Sequence, residues 1–267
     1  MTTKQLLLAC ALLFALLACK NKGQSTDTGS TSTTNPSTTN TATATVLVFK
    51  SQEFKAAKKD QTADYRIEVA QGDSPQAKFV NKTIFLALGG SQENADKGNF
   101  NYQQMADDFV NMAEGYQEED PTGDWSSDNS VTIHYNSATF ISASVGGWEY
   151  AGGAHGNPFV KSIYFDLANL KTLSQKDLFS DEMGLRKLIS PLLEKELKRT
   201  DEYNDAYLDY FADNGIVRLP ASIDFGQNEV TFDFSHQELF DAGENNAIST
   251  AVKVPLAQVQ PFLKVKL

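Results

Sequence analysis

The sequence predicts an α+β fold: two intimately packed modules of antiparallel sheet with helices, behind a signal peptide and a disordered tether. Three observations carry that expectation. Runs with strand alternation and runs with helical period are segregated along the chain and joined by hairpin-type links, unlike the regular β-α-β order of a parallel doubly wound sheet. A stretch from Lys20 to Thr45 is rich in Thr and Ser and has no aromatic residue, so it cannot bury enough apolar surface to offset the entropy of ordering. The remainder, Val46 to Leu267, is about 220 residues, enough for one large domain or two packed subdomains.

Residues 1–18 read as an export signal. Lys4 supplies a positive charge, and an uncharged apolar run follows from Leu6 to Ala18. At about 13 residues it is too short for a bilayer span, which needs about 20, and it fits the apolar core of a signal peptide. The run ends in Leu16-Leu17-Ala18-Cys19, which resembles the lipobox of bacterial lipoproteins. That resemblance implies a diacylglyceryl thioether on Cys19, cleavage before it, and anchoring in a membrane by acyl chains. Cys10 leaves with the signal, so the mature chain is expected to hold neither an intramolecular disulfide nor a thiolate metal site. Residues 19–45 then form a lipid-anchored flexible linker, which as a coil reaches on the order of 25–30 Å.

In the folded part, Val46–Phe49, Tyr65–Ala70 and Thr83–Leu88 are β-branched and aromatic and are predicted as strands. Asn101–Tyr116 is predicted as a helix, because Tyr102, Met105, Phe109, Met112 and Tyr116 recur at spacings of three and four. Glu118–Asn129 is predicted as a polar loop carrying Trp125. Val131–Tyr135 and Thr139–Val145 form a hairpin around Asn136-Ser137; alternation puts Val131, Ile133 and Tyr135 on one face and His134 on the other. Ser162–Leu167 is a strand. Leu185–Leu197 is a helix that Pro191 should bend or shorten. Asp201–Phe211 is predicted as another helix, with Tyr203, Tyr207 and Tyr210 at helical spacing. Strands follow at Ile223–Phe225, Val230–Phe234 and Thr250–Val254, then a short helix within Leu256–Leu263.

The most informative stretch is Trp148-Glu149-Tyr150-Ala151-Gly152-Gly153-Ala154-His155-Gly156-Asn157. Glycines crowded around one histidine imply a tight backbone path. It continues into Phe165-Asp166 and then Leu173 and Asp177-Leu178-Phe179. This order resembles the extracytoplasmic domain shared by RsiV-type anti-sigma factors and the non-catalytic N-terminal part of PdaC-type peptidoglycan deacetylases. Residues 46–157 resemble the N-terminal module of that domain and residues 158–267 its C-terminal module. One departure is Ser235–Gly243, where the family shows a Tyr-containing segment ending in glycine. The resemblance implies an α+β fold and a ligand outside the cytoplasmic membrane, which in RsiV-type proteins is lysozyme. The signalling helix of the RsiV type and the appended catalytic domain of the PdaC type are not expected here.

Chemical candidates are few. The candidate binding residues are Tyr150, Gly152, Gly153, His155 and Asn157 of the glycine turn, with Trp125 as an aromatic anchor. A structural role for His155, tying its ring to turn backbone, outweighs ligand binding, and catalysis comes last. As metal ligands, His134, His155 and His236 lack the required spacing. The turn lacks the Lys-Ser/Thr of a phosphate loop. Asp120, Asp124 and Asp128 are spaced too widely for a calcium loop. No catalytic residue, metal or cofactor is expected.

The chain has 34 acidic and 23 basic residues, a net charge of −11, and it is more negative once Lys4, Lys20, Lys22 and Asp27 are set aside. This argues against nucleic acid and anionic lipid as partners and allows a basic protein or a cation. The expected function is therefore a non-catalytic binding or sensing domain, held to the cell envelope by lipid on Cys19. Its ligand would be a lysozyme-like protein or peptidoglycan. The alternatives are an enzyme acting on cell-wall material and a structural envelope lipoprotein. A glycan binder should expose aromatics beside the glycine turn, and an enzyme should place two carboxylates about 5–10 Å apart in a cleft.

Overall fold

The central strands of the molecule serve two cores, one on each face. The computed structural model describes residues 45–117, 124–152, 156–199, 211–234 and 250–267. A six-stranded sheet is ordered β1 (Phe49–Lys58), β2 (Gln61–Ala70), β3 (Ser126–Asn136), β4 (Phe140–Tyr150), β5 (Asn157–Asp166) and β6 (Lys171–Leu173). The fold is α+β, as the sequence predicts. One correction concerns strand direction: β2 and β3 pair in parallel, while the other neighbours pair antiparallel. The parallel pair follows from the helices inserted between those two strands, because a parallel link needs a crossover.

That crossover is α1 (Pro75–Ala87), α2 (Gln92–Asp96) and α3 (Tyr102–Gln117). The predicted strand Thr83–Leu88 is instead the end of α1. Ser74 caps this helix by accepting the amide of Ala77, Pro75 opens it, and Ala77, Val80, Asn81, Ile84 and Phe85 are buried at helical spacing. Asn81 fixes α1 to the sheet: its amide accepts from Ala70 N at 2.9 Å and donates to Ala70 O at 2.8 Å. In α3, Tyr102, Ala106 and Val110 are buried and Met105 and Phe109 pack beside them, whereas Met112 is exposed. These helices cover Ile67, Val131, Ile141, Ala143, Val145, Ile163 and Phe165 of the sheet.

The opposite face of the same strands meets a second layer. Phe140 and Tyr164 belong to a separate core built with α5 (Glu182–Leu197) and a three-stranded sheet of β9 (Ser222–Phe225), β10 (Glu229–Phe234) and β11 (Thr250–Pro255). Helix α5 runs unbroken through Pro191, burying Leu185, Ile189, Leu193 and Leu197, and starts earlier than predicted, capped by Asp181 on Gly184 N. A small hairpin, β7 (Ala212–Asp213) and β8 (Ile216–Val217), turns on Asn214 and Gly215, both in the left-handed region. A short helix, α4 (Gln175–Leu178), precedes α5, and α6 (Leu256–Val259) follows β11 and runs into a 3-10 turn at Gln260–Phe262. The predicted helix Asp201–Phe211 lies outside the described residues except for Phe211, as do Cys19 and the leader and tether up to residue 44.

Strand β3 begins at Ser126, so the predicted polar loop ends sooner. Ser127 and Asn129 are buried polar residues of the strand, joined by Asn129 Nδ2 donating to Ser127 Oγ at 3.1 Å. Farther along, the register shifts between Ile133 and Tyr135. This bulge overturns the expected alternation. Ile133 packs in the helix-side core, but both His134 and Tyr135 reach the opposite layer, Tyr135 against Phe140 and His134 against Ser144. The Glu68 carboxylate accepts the amide of Ile133, just past the Ile67–Val131 pair that ends the parallel ladder.

Candidate functional site

The glycine turn sits where β4 ends and β5 begins. Gly153 and His155 lie outside the described residues; Tyr150, Gly152, Asn157 and Trp125 lie within them. Ser126 pairs with Tyr150, and Glu149 pairs with Asn157, so the structure brings Trp125, Tyr150 and Asn157 to one end of the sheet. Trp125 is pinned by its backbone: its amide donates to Gln61 Oε1 at 2.7 Å and its carbonyl accepts from Thr62 N at 3.0 Å. Its ring packs near Phe109 of α3, with centroids 6.4 Å apart. Trp125 is thus folded back onto the helix layer and half-buried.

Sequence reasoning did not single out Trp148. It is 44% exposed, and alternation along β4 places it on the face opposite Val145. A Cβ built on Gly156 would lie 2.2 Å from its ring, so only glycine lets the indole lie against this backbone. Gly152 has φ +82°, and a Cβ there would stand 3.6 Å from Trp125 Nε1. The turn is therefore flanked by both tryptophans of the chain, Gly152 toward Trp125 and Gly156 toward Trp148. Tyr150 follows Trp148 by two residues and shares its face. The usable signal is a large aromatic two residues before Tyr150, after a run of serine and glycine at Ser142, Ser144 and Gly146 on that face.

A second polar cluster lies between the two sheets. Ser162 Oγ is 2.9 Å from Asp224 Oδ1 and 2.9 Å from Ser222 Oγ, and accepts the amide of Ile223 at 3.1 Å. Ser142 Oγ accepts the amide of Phe225 at 3.3 Å, and Tyr164 donates its hydroxyl proton to Ile223 O at 2.7 Å. Burial pushes the Tyr164 phenol well above its ordinary pKa, so it stays a donor. Strand β9 is the outer strand of its sheet, and these side chains satisfy the backbone groups that an edge leaves open.

His134 joins this cluster with Nε2 2.8 Å from Ser144 Oγ and 3.6 Å from Asp224 Oδ2. A serine relay needs the two ring nitrogens divided between serine and carboxylate. Here one nitrogen faces both, so the three residue types meet without that geometry. Two carboxylates, Asp166 and Asp177, do share a cavity at the other end of β4. Asp166 accepts from Asn169 N and Nδ2, and Asp177 from Ser174 N and Oγ. The Ser174 hydroxyl and amide, with Lys171 and Lys264 nearby, hold Asp177 below the ordinary carboxylate range, the reverse of what a general acid requires. Asp124 and Asp128 are exposed, and among the described residues no cluster of three or more His, Cys, Asp or Glu is placed to hold a metal. No helix among those residues is long and apolar enough to cross a membrane.

A mixed sheet with a helix layer on one face and a second sheet on the other defines the class. Within it, residues 50–158 match the family described as Deacetylase PdaC. The fold is similar to that of a DUF3298-family member from Bacteroides fragilis, at 16% identity and a TM-score of 0.52, covering 82% of this chain and 94% of that one. It is also similar to a DUF3298-family protein from Pseudomonas aeruginosa, at 14% identity and a TM-score of 0.51, again covering 82% and 94%. No curated protein matches the chain. The protein thus has a DUF3298-type fold with a PdaC-like stretch that takes in the helix layer and ends just past the glycine turn.

Proposed function

We propose that this protein is a lipid-anchored, non-catalytic binding module of the bacterial cell envelope, and that it contacts cell-wall glycan through the tryptophan-flanked glycine turn. The carrying observation is Trp148, half-exposed and laid against Gly156, with Tyr150 on the same face. An indole supported from beneath by backbone offers a sugar ring a flat apolar surface at little entropic cost. The anchor rests on Leu16-Leu17-Ala18-Cys19. The non-catalytic reading is supported by the single His134 nitrogen facing Ser144 and Asp224, and by the hydrogen-bonded state of Asp166 and Asp177. Binding of a basic, lysozyme-like protein is the second reading, favoured by the net charge of −11.

The full chain is expected to sediment with insoluble peptidoglycan. Trp148→Ala should weaken that binding about 30-fold, the effect of losing a contact worth about 2 kcal/mol. Its urea midpoint should fall only modestly, because the ring is half-exposed and packs on Gly156 at the end of the sheet rather than in either core, so the variant should stay folded under the binding conditions. Absence of sedimentation by the parent chain, or equal sedimentation by the variant, overturns the glycan reading. Retention on immobilised lysozyme that fades with salt would instead establish the second. The anchor is tested separately: Cys19→Ala should move the exported chain from the membrane to the soluble fraction, and incorporation of labelled fatty acid should disappear with it.

A further inference from the structure

The cavity at the far end of β4 has a volume of about 410 Å³, within the range that holds small molecules. Its floor is apolar, made by Phe140, Leu173 and Val265. Its rim carries Lys171, Lys264 and Lys266, a local excess of positive charge in a chain whose net charge is −11. Among the described residues, Lys171 and Lys266 make no hydrogen bond or ion pair through their ammonium groups. Lys264 is fixed: its amide donates to Leu178 O at 2.7 Å and its Nζ to Lys176 O at 2.7 Å. Residues 262–264 are thereby fastened to α4, with Ser180 N donating to Phe262 O at 2.7 Å, so the wall of the cavity is built rather than incidental.

The carboxylates of Asp166 and Asp177 also line this space, but each directs its lone pairs into a local turn or helix start. Three ammoniums against two carboxylates leave a single positive charge over an apolar floor. We infer that this cavity binds a small organic monoanion, a carboxylate with an apolar body, whose charge sits among Lys171, Lys264 and Lys266 and whose body lies on Phe140, Leu173 and Val265. At about 3.3 Å per residue along β4, the site lies about 30 Å from the tryptophan-flanked turn and is independent of it.

The probe is sodium hexanoate, titrated into the full chain at low ionic strength while backbone amide resonances are followed. Saturable shifts of the Leu173 and Val265 amides are expected. Acetate, which has the charge without the body, should bind on the order of 200-fold more weakly, since hexanoate buries four more CH₂ groups at about 0.8 kcal/mol each. Lys171→Gln with Lys266→Gln should weaken hexanoate about tenfold or more, and Trp148→Ala should leave it unchanged. Both lysines are exposed, so the double variant is expected to fold. The inference is overturned if hexanoate causes no saturable shift at these amides, or if the double variant binds it as the parent does. It is also overturned if inorganic phosphate or acetate binds as tightly as hexanoate, which would make the site a general anion patch.

Discussion

Phe165→Ala is expected to lower the free energy of unfolding by about 3–5 kcal/mol, the usual cost of removing a buried phenylalanine. Phe165 is 0% exposed on β5, the fifth of six strands, and its ring meets Phe79 of α1 edge-on at 5.8 Å. Deleting it opens a cavity between sheet and helix layer, where Ile163 and Ile141 are held by the sheet and cannot collapse inward. Natural domains have only about 5–15 kcal/mol of stability, so the loss is a large share of the total. Urea denaturation should show the midpoint falling with little change in slope. Met112→Ala, at 52% exposure on α3, serves as the control and should shift stability by no more than about 0.5 kcal/mol. A shift for Phe165→Ala as small as that of the control would mean the helix layer does not pack on β5 as described.

Much of this layout is legible in sequence, and what is not has physical reasons. The hairpin of β3 and β4, the helices α3 and α5, and the strands β9 to β11 all announce themselves by local period, because one face of each is buried against a single partner layer. Thr83-Ile84-Phe85-Leu86 reads as a strand only if the window is short; Ser74-Pro75 upstream is the helix signal that resolves it. Ser126–Asn129 reads as loop because it is polar, yet Ser127 and Asn129 are buried, with Asn129 Nδ2 donating to Ser127 Oγ and Ser127 Oγ donating to the hydroxyl of Tyr65 on a neighbouring strand. Of the glycine turn, Tyr150, Asn157 and Trp125 are brought together at one sheet end, while the more exposed Trp148 was passed over because exposure is decided by where the second layer stops. The bulge at His134 leaves no mark in the sequence, since it depends on register against β4.

Ser142 and Ser162 show the same limit most clearly, and they carry the second large prediction. Along β4 and β5 they look like the wet face of a half-exposed strand, alternating with Ile141, Ala143 and Ile163. They are in fact 0% and 9% exposed, covered by β9 from some 60 to 83 positions away in sequence. Their hydroxyls receive the amides of Ile223 and Phe225, which no neighbouring strand pairs. Ser142→Ala with Ser162→Ala leaves two buried donors unsatisfied, each worth about 1–3 kcal/mol, so the double variant should lose about 2–6 kcal/mol. The two sites share β9, so the pair should not sum simply, and the single variants are needed to complete the cycle. Hydrogen exchange should accelerate at Ile223 and Phe225 more than at Ile67 and Val131 in the helix-side core. Ser144→Ala should cost less, because Ser144 is only half-buried and meets the ring of His134 rather than a strand amide. If the Ser142 and Ser162 variants kept full stability but lost a hydrolytic activity, the serines would be working groups and the cluster an active centre. If they lose stability and local protection together, Ser142 and Ser162 form a joint that holds the second sheet against the first, at a distance from the exposed tryptophan at the other end of β4.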